Sequence, residues 1–191
     1  MHTSERRYLD VDLSAETVRD YEIPAEWTES HIGGRGVAAR LLLHEFSGRE
    51  TALSSGNILV FAAGPLQGTG VLGAGRHVVM AISPKTQSVC DSYAGGYLGH
   101  ELGQSDYDGI LFRGTAGEPT YLTLLSGRAE LRPASDLWGE GTGATEDVLR
   151  ARHPGGRVRK AAFRSGNLRG THGMWAESRA GKAPRGSAPV T

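Results

Sequence analysis

The chain has 191 residues, a formal net charge of zero and 28 glycines, about twice the usual 7% share of that residue, and its length suits one domain. A single cysteine, Cys90, excludes an intrachain disulfide and reads as a small half-buried residue beside a strand. No apolar run approaches the roughly 18 residues of a membrane span, and the opening MHTSERRYLDVDLS lacks the apolar core of a signal peptide, so a cytoplasmic protein is expected.

Arg7–Leu13 alternates and reads as a strand, with Tyr8, Val11 and Leu13 against Arg7, Asp10 and Asp12. A turn at Ser14-Ala-Glu leads to a second strand, Thr17–Ile23, which makes a hairpin. Thr28 or Ser30 is placed to cap a helix that runs to about Phe46, with Val37, Leu41, Leu42 and Phe46 as its apolar stripe. Gly33, Gly34 and Gly36 weaken its first turn by about 1 kcal/mol each relative to Ala. That cost points to a close backbone contact there, and Arg35 in the same turn reads either as facing a site or as an exposed helix arginine. Asn57–Ala63 and His77–Ile82 are short apolar strands, and Ser88–Ser92 pairs with the second of them.

Gly95–Leu102 opens a short helix, and a helix N-terminus after Gly-Gly is an anion site. Tyr107–Arg113, Thr120–Leu125 and Ala129–Leu131 are strands. Thr142–Arg152 is a helix with Thr145, Val148 and Leu149 inward, stopped by Pro154-Gly155-Gly156, and Val158–Phe163 is a last strand. Strands come in runs, without strict βαβ alternation. The expectation is α+β, with two mainly antiparallel β-sheets and about three helices.

The densest glycine region is Ala63–Gly99, where two glycine clusters flank the strand His77–Ile82 and Arg76 ends the first cluster. Glycines let backbone approach a ligand closely, and Arg76 supplies a planar charged fork suited to phosphate. The same pattern also reads as a pair of tight turns. Gly68-Thr-Gly-Val-Leu-Gly73 satisfies the dinucleotide pattern G-x-G-x-x-G, but Pro65 intervenes and no helix begins at Gly73, so the context fails. No Walker loop occurs. His31, His44, His77, His100, His153 and His172 show no metal spacing with Cys90, and His100 and Glu101 read as helix-surface residues.

Residues 1–149 hold 11 Lys and Arg against 20 Asp and Glu, a net of −9, whereas residues 150–191 hold 10 against 1, a net of +9. From Arg164 the sequence loses periodicity and becomes rich in Gly, Ala, Ser, Pro and Arg, which divides the chain into a body at 1–163 and a loose or disordered basic tail at 164–191. The tail reads as docked on the acidic body or solvated. Binding to nucleic acid or another polyanion is the weaker reading, because the tail lacks aromatic interleaving beyond Trp175.

Ala-Ala-Gly-Pro-Leu (62–66), Gly-Arg (75–76), Ser-Pro (83–84) and Gly-Gly-Tyr-x-Gly-x-Glu-Leu (95–102) resemble, in order and spacing, the N-terminal domain of the tungsten-containing aldehyde:ferredoxin oxidoreductases. The opening strand at Arg7, the helix from Gly34, Tyr107-Asp-Gly-Ile and Ala134-Ser-Asp-Leu-Trp-Gly extend the resemblance over residues 5 to 162, after which it decays. A truncation or shifted reading frame near residue 164 would explain both the decay and the change in composition.

The resemblance implies a base domain on which two pterins lie. Their dithiolene sulfurs hold tungsten, or molybdenum, and a magnesium ion bridges their phosphates. It implies oxidation of an aldehyde by water to a carboxylic acid, with two electrons leaving through a [4Fe–4S] cluster to ferredoxin. Carried over by motif, Arg76 lies between pterin and cluster, and Gly95 and Gly96 form the pterin-binding turn. Tyr93 offers its backbone carbonyl to magnesium. It stands where the best-known members have asparagine. The second pterin loop survives only as echoes, with Arg179, Ala180, Gly181 and Lys182 as nearest matches and Ala180 as a second magnesium contact. A [4Fe–4S] site needs four thiolates, and this chain has one cysteine. The expectation is a cofactor platform without catalytic residues of its own, whose partners are the missing C-terminal domains or a separate subunit. The alternative is a non-catalytic remnant or binding module that holds no metal.

Overall fold

The computed structural model describes residues 6–125 and 127–154, together with the backbone of two short strands at 157–159 and 176–178. A six-stranded sheet forms the frame, in the order β2-β1-β6-β3-β4-β5. Its strands are β1 (Arg6–Asp12), β2 (Thr17–Ile23), β3 (Leu59–Ala62), β4 (His77–Ile82), β5 (Val89–Ala94) and β6 (Gly109–Arg113). Every pairing is antiparallel except β1 with β6, which run parallel from Tyr8↔Gly109 to Asp12↔Arg113. The ribbon β7 (Thr120–Leu125) and β8 (Arg128–Pro133) forms a second, antiparallel sheet, and β9 (Arg157–Arg159) pairs with β10 (Ala176–Ser178). The class is α+β, as expected.

Both faces of the sheet are covered at its centre, so its central strand β6 reads as a continuous apolar run. On one face, Tyr8, Val60, Ala62, Val78, Met80 and Leu111 meet Trp27 of α1 (Ala25–His31) and Val37, Ala38, Leu41 and Leu42 of α2 (Arg35–Glu45). On the other, Leu9, Val11, Phe61, Ile110 and Phe112 meet Leu102 of α3 (Leu98–Gln104) and Leu122 and Leu124 of β7. The outer side of the ribbon packs Tyr121 against Leu149 of α4 (Thr142–Arg152) and Leu137 of a 3-10 turn, Ser135–Leu137.

Several expectations are corrected. The single helix from Thr28 or Ser30 to Phe46 is two helices, because the chain reverses at Ile32, where φ is 64°, and Gly34 hands the chain into α2. The described residues therefore hold four α-helices. The helix expected from Gly95 begins at Leu98. Val148 lies 37% exposed while Thr145 and Leu149 are buried, because Thr145 and Leu149 share one face a turn apart and Val148 lies to its side. Glu101 is buried, not on the surface, since α3 turns that face toward the sheet. Cys90 is exposed, because β5 is an edge strand with neither face covered. The strand expected at Val158–Phe163 is described only over Arg157–Arg159, and the tail expected at 164–191 lies outside the described residues apart from β10.

Candidate cofactor-binding end of the sheet

The strand pairing brings the predicted residues to one end of the sheet. The register couples Arg6 to Ile23, Tyr8 to Gly109, Gly109 to Ala62, Ala62 to Val78, and His77 to Ala94. The end of β3, the start of β4 and the end of β5 are thus neighbours, and their loops 63–76 and 95–97 lie side by side. A Cβ added to Gly75 would sit 3.4 Å from the carbonyl oxygen of Gly96. The turn before α2 joins them, with the Gly34 N–H donating to the Ala63 carbonyl at 3.1 Å.

Arg76 is exposed at the start of β4, and among the described residues its guanidinium makes no ion pair. Two other guanidiniums share this end of the sheet and are paired. Arg6 donates to Asp108 at 2.7 Å, and Arg35 lies 3.6 Å from Asp91 of β5. Tyr93, opposite Val78 on the edge strand, is 50% exposed. Gly95 and Gly96 are exposed, and a Cβ on either would meet nothing within 4 Å. They differ in conformation. Gly96 has φ near 89°, in the region that side chains disfavour, whereas Gly95 has no such requirement. The structure thus brings Arg76, Tyr93, Gly95 and Gly96 together at one end of the sheet. Arg179, Ala180, Gly181 and Lys182 lie outside the described residues.

The loop 63–76 contains turns and no helix, with positive φ at Gly68, Gly70 and Gly73, so the G-x-G-x-x-G match lacks the helix start that a dinucleotide site uses. No group of three or more metal-ligating side chains occurs among the described residues. None of the described helices is long and apolar enough to cross a membrane.

Two residues of this end were not singled out by sequence. Gln67 is buried inside the first loop. Its Oε1 accepts from the Gly64 N–H at 2.8 Å and its Nε2 donates to the Arg76 carbonyl. The signal was present in Gly99-x-x-x-Gly103, a pair one helical turn apart that marks a small face on α3. His77 is 4% exposed and lies over the Phe61 ring at a 6.2 Å centroid separation. Its Nδ1 is buried without a hydrogen-bond partner among the described residues. Burial holds its pKa below the usual histidine value.

The family model "Aldehyde ferredoxin oxidoreductase, N-terminal domain" matches residues 8–166. The chain belongs to that family. A tungsten-containing aldehyde ferredoxin oxidoreductase of Pyrococcus furiosus is 37% identical over 144 residues, covering 75% of the chain and 24% of the relative. The enzyme of the same name from Thermococcus kodakarensis is 35% identical over the same length. An aliphatic sulfonate oxidoreductase, WOR-like subunit, of P. furiosus is 33% identical and is covered over 23% of its length. Among solved structures, the active-site complex BamBC of benzoyl coenzyme A reductase superposes with a TM-score of 0.79 at 33% identity, over 85% of the chain and 25% of that chain. The chain therefore spans about a quarter of the length of these relatives. The match ends at 166, close to where the sequence composition changes.

Proposed function

We propose that the chain is the cofactor platform of a tungsten- or molybdenum-containing oxidoreductase that converts aldehydes to carboxylic acids, and that it is incomplete alone. The observation that carries this reading is the shared placement of Arg76, Tyr93, Gly95 and Gly96 at one exposed end of the sheet. The residues fit an anionic bis-pterin group. Arg76 offers a guanidinium with no carboxylate on it among the described residues, and the space beside Gly95 and Gly96, where a Cβ would meet nothing, leaves backbone open to a flat ligand. Arg76 would pair with a phosphate or pterin edge, and the Gly95–Gly96 backbone would lie against the pterin. The backbone carbonyls of Tyr93 and Ala180 would hold the magnesium that accompanies such a group. When bound, the group supplies the two-electron oxidation of an aldehyde with an oxygen atom from water, releasing two protons and two electrons.

The relatives carry different substrates in their names, yet each is matched over about a quarter of its length. That pattern suits a domain that provides the floor under a cofactor and leaves substrate selection to other domains. The single cysteine leaves the four thiolates of a [4Fe–4S] cluster to another polypeptide or domain, through which electrons would pass to ferredoxin.

The test is purification from cells supplied with tungstate or molybdate, followed by metal and pterin analysis. Metal and pterin above background, falling together in Arg76→Ala, is the expected result. A folded wild-type chain with neither would favour a binding module that holds no metal. With a viologen acceptor, the chain alone is expected to oxidise no aldehyde. Robust dye reduction with no other polypeptide present would overturn the platform reading.

A further inference from the structure

We propose that Gln67 is a positioning residue that sets Arg76 and the Gly95–Gly96 turn in register with one another. The proposal rests on reading this end of the sheet as the cofactor site. A glutamine side chain has one acceptor and two donors, and Gln67 divides them between the two flanks of its loop. Oε1 takes the Gly64 N–H at 2.8 Å, and Nε2 gives a proton to the Arg76 carbonyl. The main-chain N–H of Gln67 also closes a turn onto the Gly64 carbonyl at 3.1 Å. The thirteen-residue excursion from Gly64 to Arg76 is thereby pinned across its neck by one side chain.

The same residue is wedged against α3. A Cβ on Gly99 would come within 2.6 Å of the Gln67 Nε2, and one on Gly103 within 2.7 Å of its carbonyl carbon. A Cβ on Gly68 would lie 2.7 Å from the Gly103 carbonyl carbon. Glycines at 99 and 103 stack one turn apart on a single helix face, and Gln67-Gly68 fills the shallow groove they leave. α3 in turn fixes the segment Gly95–Tyr97 that enters it. Gln67 therefore touches both halves of the site, the loop that presents Arg76 and the helix that anchors the glycine turn.

Such a device is needed because Arg76 has no side-chain partner of its own among the described residues. With its guanidinium exposed, its direction is set by its backbone, and the carbonyl of that backbone is what Gln67 holds. Gln67 is a buried polar side chain whose described side-chain hydrogen bonds stay within residues 64–76, so its contribution is local.

Gln67→Met keeps much of the length while removing both hydrogen bonds. Gln67→Glu, as the carboxylate, still accepts from Gly64 but cannot donate to Arg76. Amide exchange and resonance positions are measured by NMR on the whole chain, with inorganic pyrophosphate as an anionic probe. In Gln67→Met we expect Gly64 exchange to rise by more than about tenfold while β1 and β6 stay within about threefold. We also expect shifted resonances at Arg76, Gly95 and Gly96, and pyrophosphate affinity lower by about fivefold or more, against none in Arg76→Ala. Gln67→Glu should retain protection at Gly64 while Arg76 still shifts. Wild-type affinity in Gln67→Met, or faster exchange throughout β1 and β6, would overturn the proposal. If the wild-type chain does not bind pyrophosphate, the anion-site reading fails, and the resonances decide the positioning role on their own. Shifts at Arg76, Gly95 and Gly96 support it, and shifts confined to residues 64–68 overturn it.

Discussion

Arg76 stands exposed immediately before β4 with no carboxylate on it among the described residues, and that isolation separates its role in binding from any role in folding. Arg76→Ala should leave the thermal midpoint nearly unchanged, since surface substitutions usually fall within about 0.5 kcal/mol, while removing anion binding and lowering metal and pterin content. The adjacent glycines should behave differently from one another. Gly95→Val meets open space at an undemanding φ, so the domain should fold normally yet lose cofactor. Gly96→Val must also hold φ near 89°, and its urea midpoint should report an extra cost of about 1–3 kcal/mol. Equal cofactor content in wild type and Gly95→Val, both above background, would remove that turn from the site. Glu50 shows how local geometry sets a titration. The Ser47 hydroxyl and the N–H groups of Ser47 and Gly48 hold its pKa down at about 2. A carboxylate depressed in the folded state stabilises above its unfolded pKa, and that contribution is lost as pH falls through the gap between the two values. The difference in melting temperature between wild type and Glu50→Gln should therefore shrink on acidification from about pH 6 to about pH 3. His77 adds a loss in the same direction, because burial favours its neutral form and acid must charge it.

Among the elements, those with a strong period were legible and those governed by tertiary contact were not. Thr17–Ile23, His77–Ile82, Thr120–Leu125 and Thr142–Arg152 are read from sequence with the bounds they have in the structure. The α1–α2 break is not legible in the sequence because Thr28 and Ser30 both read as caps, although they lie inside α1, and the apolar stripe begins only at Val37 of α2. The reversal at Ile32 is imposed by packing of the following glycines on Ala63 and Pro65. Glu101 was misplaced because a lone charge in a short helix ordinarily faces water, and only the sheet beneath α3 decides otherwise. Of the residues gathered at this end of the sheet, Arg76, Tyr93 and the glycine turn stand out by motif, whereas Gln67 has no pattern of its own and its trace in the sequence is the small face Gly99-x-x-x-Gly103 on which it packs. Helix α2 should be the element most sensitive to truncation. Leu41 is completely buried against β3 and β4, and Leu41→Ala should lower unfolding free energy by about 2–5 kcal/mol in urea titration.

Across the molecule, the two helices on one face and the ribbon with α3 on the other leave the edge strand β5 bare, and the apolar side chains of Leu66, Val71, Leu72 and Tyr97 stand exposed near the same end. Leu72 is 98% exposed. Exposed apolar groups gathered in this way are a self-association hazard. Leu72→Ser should raise the concentration at which the isolated chain begins to associate, as read by light scattering, without changing its melting temperature. The parallel pairing of β1 with β6 carries a different consequence, in time instead of space. Arg6 and Asp108, which meet across that pair, are separated by 102 positions in the sequence. A ribosome releases the β1–β2 hairpin early, but its inner neighbour exists only after β6 has been made. Closing so long a loop carries an entropy cost before any contact repays it. The sheet therefore has to wait for most of the chain, and the end that carries Arg76 and Gly95 cannot be enclosed by its flanking strands until Asp108 has emerged.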